Sequence, residues 1–151
     1  MKMKNTAGLL GVLTIATASI GFTSMVFAHG DVTPQAVETK GLTPLGNDTW
    51  LEENPYHQGH PEYEAALRIG ASAYNQNCAR CHGLEAISGG IAPDLREMEN
   101  GLEGDEWYLY RVREGAVRDG RVYMPRMADY MEQEAVWAIR AWLETVSHES
   151  N

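Results

Sequence analysis

Apolar positions recur at helical spacing close to the carboxyl end of the chain. They are Val136, Ile139, Leu143 and Val146, with Trp142 widening the apolar stripe. A 3-4-3 spacing of this kind is typical of an amphipathic helix that buries one face. Asp129 and Glu132, which are spaced like a capping box, predict that this helix starts at Asp129.

A second helical pattern runs from Pro61 into the first cysteine of the chain. Proline is favoured at the first position of a helix, and Glu62 and Glu64 would lie in the first turn, where a helix favours acids. The predicted face consists of Ala66, Ile69, Gly70, Ala73, Tyr74 and Asn77. A shorter helix is predicted over 105–113, ending at Gly115. No stretch alternates convincingly as a strand, so the expected fold class is all-α.

The amino-terminal residues differ from the rest of the chain. Lys2 and Lys4 precede an apolar stretch and then Val26-Phe27-Ala28, which predicts a signal peptide over 1–28 and a mature chain that starts at His29. An uncleaved membrane anchor is the alternative. It is disfavoured because the stretch is rich in Gly, Ala, Ser and Thr and poorer in Leu than a spanning helix of about 20 apolar residues. Either possibility predicts an exported domain.

Residues 29–62 carry several prolines and glycines and show neither helical nor alternating periodicity. We interpret them as an extended amino-terminal arm, followed by a single domain over 63–151. The arm contains Leu42, Leu45, Trp50 and Leu51. These apolar side chains favour an arm that wraps the domain, because they would otherwise be exposed to solvent.

The charge balance limits the possible partners. Lys2 and Lys4 are the only charged residues of the leader, so the remaining chain has 10 Lys and Arg against 21 Asp and Glu, a net charge of −11. This disfavours nucleic acid and anionic membranes as partners. Five arginines nevertheless fall within 16 residues: Arg111, Arg113, Arg118, Arg121 and Arg126. They are either solvated charges or a basic patch on an acidic protein.

The segment NCARCHG holds both cysteines, Cys78 and Cys81, directly before His82. A redox dithiol of the thioredoxin type would follow a strand, and none is predicted here. A structural zinc site needs four protein ligands, and the chain has no second pair of cysteines. C-x-x-C-H is the signature of covalent haem attachment, with the thiols adding to the two vinyl groups and the histidine binding iron. We therefore predict one covalent haem c with His82 as the proximal ligand.

The other side of the iron requires a second ligand if the protein is to transfer electrons and not to bind small molecules. The candidates are Met98, Met124, Met127 and Met131, with His57, His60 and His148 less suitable. Met124 lies between predicted helices and is followed by Pro125, which restricts the backbone. We expect Met124 to be the distal ligand, with Met127 as the alternative.

These residues resemble the monohaem class I cytochromes c over roughly residues 63–147. The matching pieces are the C-x-x-C-H motif, Gly70 and Tyr74, Ala92-Pro93-Asp94-Leu95, Met124-Pro125 and the last helix. The resemblance implies a cytochrome c fold of about four to five helices around one haem. It also implies that the Pro93 carbonyl orients the His82 imidazole, and that Gly70 and Tyr74 pack against Trp142.

More narrowly, the arm and the segment NQNCARCHGLEAISGGIAPDL are similar to soluble bacterial cytochromes that accept electrons from PQQ-dependent alcohol (ethanol) dehydrogenases. This similarity implies a periplasmic monomer that is a carrier and not an enzyme, with a terminal oxidase or another cytochrome as acceptor. Arg118 and Arg121 are candidates for contacts with the haem propionates or with the donor. A carrier serving a methanol-type dehydrogenase and a haem enzyme with an open sixth site are the alternatives.

A second metal site is a weaker hypothesis. His57 and His60 lie close together in the arm, and His29 would be the mature amino terminus. Histidine is the commonest metal ligand. Loop histidines beside prolines are usually solvated, however, and the acids near them, Glu53 and Glu62, are no more than the composition predicts.

Overall fold

Four α-helices carry the fold in the computed structural model, which describes residues 33–148. The predicted leader, the cleavage position after Ala28 and His29 lie outside the described residues. The helices are α1 (Tyr63–Asn77), α2 (Ala79–His82), α3 (Gly101–Glu114) and α4 (Gln133–Val146). Single 3₁₀ turns lie at Leu84–Ala86, Leu95–Glu97 and Met127–Asp129. In the part of the chain that the structure describes, no helix has the length and apolar character needed to cross a membrane.

Helices α1 and α4 form the centre of the core by crossing at Gly70. A Cβ atom at this position would collide with the carbonyl oxygen of Ala138, so only glycine permits the close approach. One turn further along α1, the Tyr74 ring lies on Trp142 with ring centroids 4.6 Å apart. The expected packing of Gly70 and Tyr74 against the last helix is thus observed, and both residues are buried.

Helix α4 is buried on almost every side from Gln133 to Leu143. The predicted start at Asp129 is wrong, since the helix begins at Gln133, whose amide donates to Asn47 Oδ1 at 2.9 Å. Asp129 belongs to the preceding 3₁₀ turn, and its carboxylate lies 3.3 Å from Arg126 Nε. The capping-box spacing fails because Asp129 is bound to the arginine before it and not to the helix after it.

Helix α3 ends at Glu114, directly before Gly115, as predicted, but it begins at Gly101 and not at residue 105. Sequence pattern misses its first turn because Gly101 and Gly104 are poor helix formers. Gly104 is nevertheless buried, and a Cβ atom there would collide with the Glu99 carbonyl oxygen. Close packing therefore stabilises a first helical turn that the helix propensity of its residues does not favour.

A two-stranded hairpin, β1 (Ala116–Arg118) and β2 (Arg121–Met124), lies between α3 and α4. The chain is mostly helical, as predicted, but the expectation that no stretch forms a strand is wrong at this hairpin. The strands are antiparallel, with Val117 opposite Val122 and Arg118 opposite Arg121. Asp119 and Gly120 form the turn, both with positive φ, as a tight hairpin requires. The alternation of apolar and polar residues does not predict these strands, because they are short and have no buried residue.

Residues 33–62 contain no helix and no strand, and they lie along α3 and α4. Leu42 is buried, whereas Leu45 and Trp50 are partly buried against the core. The amides of Leu45 and Leu51 donate to the side chains of Glu134 and Gln133 at the start of α4. Leu51, which was expected to be covered, remains 40% exposed.

Candidate functional site

The C-x-x-C-H motif lies at the junction between α1 and the single turn α2. Cys78 ends α1, and its amide donates to the Tyr74 carbonyl at 2.8 Å. The amides of Cys81 and His82 both donate back to the Cys78 carbonyl, at 3.1 and 3.0 Å. These bonds place the two cysteines and the histidine within one helical turn, with the cysteines three positions apart.

The two thiols are not joined by a disulfide. Burial, with a smaller contribution from Cys81, raises the pKa of Cys78 to about 12. At neutral pH this thiol is therefore protonated, which is the opposite of the lowered pKa that activates the cysteine of a redox dithiol. The environment of the motif thus argues against thioredoxin-like chemistry.

His82 is oriented by the backbone of a distant loop. Its Nδ1 lies 2.9 Å from the carbonyl oxygen of Pro93. A carbonyl can only accept, so Nδ1 carries the proton and Nε2 keeps its lone pair for a metal. The family resemblance predicted this contact, and the structure contains it.

The loop that follows the motif is fixed to α1. Tyr74 donates its hydroxyl to the Gly83 carbonyl oxygen at 2.8 Å. Gly83 itself has φ 83° and ψ 162°, and a Cβ atom there would collide with the Ile87 carbonyl oxygen. Only glycine fits this position, which turns the chain sharply away from His82.

The four methionines considered as distal ligands lie in different surroundings. Met127 and Met131 are buried in the hydrophobic core, 4% and 5% exposed. Met98 and Met124 are only partly buried, and both pack against the core from its edge. Met124 is the last residue of β2, so the hairpin and Pro125 determine where its thioether lies.

The five clustered arginines do not share one environment. Arg126 pairs with Asp129. Arg111 lies over the rings of Trp107 and Tyr110, and Arg113 lies over Trp50. Arg118 and Arg121 are exposed at the tip of the hairpin, opposite each other across the strands, with Arg118 stacked over Tyr123.

The haem predicted from the motif fits these residues. Free thiols and a histidine with an available Nε2 occupy one turn. Large apolar side chains in the loop that follows the motif are exposed, as expected for a chain that a flat apolar cofactor covers: Leu84, Ile87 and Ile91. When bound, haem iron supplies one-electron exchange.

The arm histidines make other contacts. His60 Nδ1 accepts from the Glu62 amide at 3.1 Å, and His57 Nδ1 lies 3.2 Å from the Gln58 carbonyl oxygen. Within residues 33–148, no group of three or more His, Cys, Asp or Glu side chains is arranged to hold a metal ion.

Comparison with known proteins agrees with this site. The family model described as "Cytochrome C oxidase, cbb3-type, subunit III" matches residues 65–143. Cytochrome c550 of Pseudomonas aeruginosa is 62% identical over 138 residues, which are 91% of this chain and 93% of the relative. No solved structure shows a significant match.

Two larger proteins match part of this chain. Quinohemoprotein alcohol dehydrogenase ADH-IIG of Pseudomonas putida is 36% identical over 85 residues, and ADH IIB of the same species is 31% identical over 83 residues. These stretches are 56% and 55% of this chain and 11% of each enzyme. The family match and the cytochrome c550 relative, which covers nearly the whole chain, together show that this protein belongs to the cytochrome c family, carries covalent haem c and is a monohaem electron carrier and not an enzyme.

Proposed function

We propose that this protein carries electrons in the periplasm from a PQQ-dependent alcohol dehydrogenase to a terminal oxidase or another cytochrome of the respiratory chain. The similarity to parts of two quinohemoprotein alcohol dehydrogenases supports the donor. Those enzymes contain a similar haem region within their own chain. A separate chain that resembles this region would suit a dehydrogenase that passes its electrons to another protein. The acceptor is supported in the same way by the family model, which is named after an oxidase subunit.

The single observation that carries the site assignment is the 2.9 Å contact between His82 Nδ1 and the Pro93 carbonyl oxygen, beside two free thiols. In the proposed site, Cys78 and Cys81 form the thioether bonds and His82 is the proximal iron ligand. Pro93 holds the imidazole at one angle and makes it more basic.

Met124 is the proposed distal ligand. Its partial burial at the end of β2 leaves the thioether at the edge of the core, whereas the alternative, Met127, already has core neighbours. A thioether ligand raises the reduction potential and occupies the position that an enzyme would leave open to substrate. The assignment therefore suits a carrier.

Arg118 and Arg121 are the proposed contact with the donor, with one of them available to a haem propionate. Both are exposed on an otherwise acidic chain, and exposed charges mainly steer encounter. The donor surface that they suit is acidic. Neighbouring Val117 and Val122 add an exposed apolar pair on the same hairpin.

Export is proposed from the leader over 1–28. Mass spectrometry of the protein recovered from the periplasm tests it: the expected mass is that of a chain starting at His29 plus one haem. Retention of residues 1–28 would favour the membrane anchor instead.

Reduction kinetics test the donor. The purified protein is mixed with a PQQ-dependent ethanol dehydrogenase and ethanol, and reduction is followed by absorbance at several salt concentrations. Oxidising an alcohol to an aldehyde releases a pair of electrons. Because one haem accepts one electron, each turnover of the dehydrogenase must reduce a pair of carrier molecules. No reduction by the ethanol enzyme, with rapid reduction by a methanol-type enzyme, would replace the proposed donor.

The double substitution Arg118→Gln/Arg121→Gln tests the contact. We expect slower reduction at low salt and a flatter salt dependence, because screening acts on exposed charges. Arg68→Gln is the matched control, since Arg68 is exposed on α1 and its side chain donates only to the Glu64 carbonyl of its own helix. An unchanged salt slope in the double variant would remove these arginines from the docking surface.

A further inference from the structure

The carbonyl that orients His82 belongs to a loop without regular structure. No helix or strand runs through residues 87–94, and Ile91 is 78% exposed. Gly89 and Gly90 add backbone freedom in the middle of the loop. A segment of this kind would move on its own, so something must hold Pro93 at a fixed distance from the imidazole.

Ser88 bonds to three parts of this loop. Its hydroxyl donates to the Ala92 carbonyl oxygen and accepts from the Gly90 amide, the latter at 2.9 Å. Its own amide donates to Asp94 Oδ2 at 3.3 Å. One short side chain and its backbone thus join the beginning of the loop to both neighbours of Pro93.

Asp94 closes the loop from the other end. Its carboxylate accepts from the Arg96 amide at 3.0 Å and starts the turn Leu95–Glu97, where Leu95 is buried in the core. Arg96 adds two side-chain bonds to the same carboxylate, at 3.0 and 2.7 Å. These bonds hold the pKa of Asp94 well below its usual range. The carboxylate therefore stays charged and anchored at neutral pH.

We propose that Ser88 and Asp94, which we call the loop clasp, are positioning residues for the iron ligand: they hold the Pro93 carbonyl against His82 Nδ1 and thereby set the reduction potential. The three consecutive residues Ala92, Pro93 and Asp94 are each held by a hydrogen bond, and two of these bonds come from Ser88. The inference rests on the proposed role of His82 as the proximal ligand.

The direction of the effect follows from the hydrogen bond. A carbonyl that accepts from Nδ1 makes the imidazole a stronger donor to iron and favours the oxidised state. A loosened clasp weakens that bond, so the reduced state becomes more favourable and the potential rises. We expect a change in the oxidised-to-reduced ratio of roughly two- to fivefold, smaller than the roughly 10- to 100-fold changes in metal affinity or activity that loss of a direct outer partner causes. A tenfold change would be about 59 mV for one electron.

Ser88→Ala tests the clasp without changing charge. The expected result in the intact haem protein is a more positive potential and a weaker His82 Nδ1–H hydrogen bond, seen by NMR of the reduced state as an upfield shift and faster exchange. Ser88→Thr keeps the hydroxyl and should restore both values. Ser72→Ala is the control, because the Ser72 hydroxyl bonds only the Gln76 side chain within α1.

Two results would overturn the proposal. One is that Ser88→Ala lowers stability in urea but changes neither the reduction potential nor the His82 Nδ1 proton signal. The loop clasp would then stabilise the fold without acting on the iron ligand. If Ser88→Ala does not accumulate, Asp94→Asn is measured for both the potential and the His82 Nδ1 proton. A more positive potential with a weakened Nδ1–H hydrogen bond supports positioning, whereas a shifted potential with an unchanged Nδ1 proton is a charge effect and overturns it. Failure of the His82 assignment itself would be visible in the spectrum of the unsubstituted protein.

Discussion

Gly70 of α1 and Ala138 of α4 meet backbone to backbone. A Cβ atom at Gly70 would collide with the Ala138 carbonyl oxygen and lie 3.0 Å from the Ile139 amide nitrogen. Neither neighbour is a flexible side chain that could move aside. The crossing of the two central helices thus depends on the absence of a single methyl group.

Gly70→Ala should therefore destabilise the protein although alanine is the better helix former. Overpacking typically costs about 1–3 kcal/mol, and a rigid backbone neighbour places this variant at the upper end. Urea unfolding of the haem protein measures the loss. Gly89→Ala is the control, since no atom lies within 4 Å of a Cβ there; equal effects of the two substitutions would refute the close crossing.

Arg140→Met should be strongly destabilising. The guanidinium is 1% exposed, and its Nε lies 2.6 Å from Asp105 Oδ1. Removing the guanidinium leaves the buried Asp105 carboxylate without this charged partner, which costs about 3–5 kcal/mol of stability. Arg126→Gln breaks an ion pair that is exposed on both sides, so it should cost at most about 1 kcal/mol. Similar thermal unfolding of the two variants would show that the buried pair is not essential.

Met124→Leu and Met127→Leu distinguish the two distal-ligand candidates. Loss of the thioether at Met124 should remove the methionine-ligated absorption signature, lower the potential and allow carbon monoxide to bind the reduced protein. Met127→Leu exchanges similar volumes within the core, so it should keep the spectrum and cost less than about 1.5 kcal/mol. The reverse pattern would assign the ligand to Met127.

Glu62→Gln should remove part of the pH dependence of stability. The Thr43 hydroxyl and amide donate to the Glu62 carboxylate at 2.5 to 3.1 Å, and these bonds lower its pKa. A lowered folded-state pKa contributes stability that is present above the unfolded value, about 4.3, and is lost as pH falls through the folded value.

Unfolding of the native protein and of Glu62→Gln should thus differ at about pH 6 and converge as the pH falls below the lowered folded-state pKa of Glu62. Glu64→Gln provides the control, because Glu64 is an exposed acid in the first turn of α1, two residues after Glu62. A difference between native protein and Glu62→Gln that is constant across this range would show that the carboxylate bond does not titrate with folding.

The sequence predicts those parts of the fold in which local pattern and structure agree. The predicted core face of α1 is confirmed at Ala66, Gly70 and Ala73. These residues are buried because the helical repeat places them on the side of α1 that packs against the core. The hairpin is missed because its strands are exposed, although Asp119-Gly120 is a strong turn signal that could have identified it.

The buried pair of Arg140 and Asp105 could not be predicted in the same way. Arg140 falls within an apolar stripe, and its partner lies 35 residues earlier on a different helix. Only the three-dimensional packing brings the two charges together. The same applies to Ser88, whose role depends on the position of Asp94, to which it bonds in the folded loop.

The hydrogen bonds between the arm and α4 have a consequence for the order of folding. Leu45 and Leu51 bind side chains 89 and 82 residues further along the chain. Because contacts of such separation close large loops, they form late relative to local helical turns. We therefore expect the arm, although it precedes the domain in the chain, to close over the helices after the local turn of the haem motif has formed.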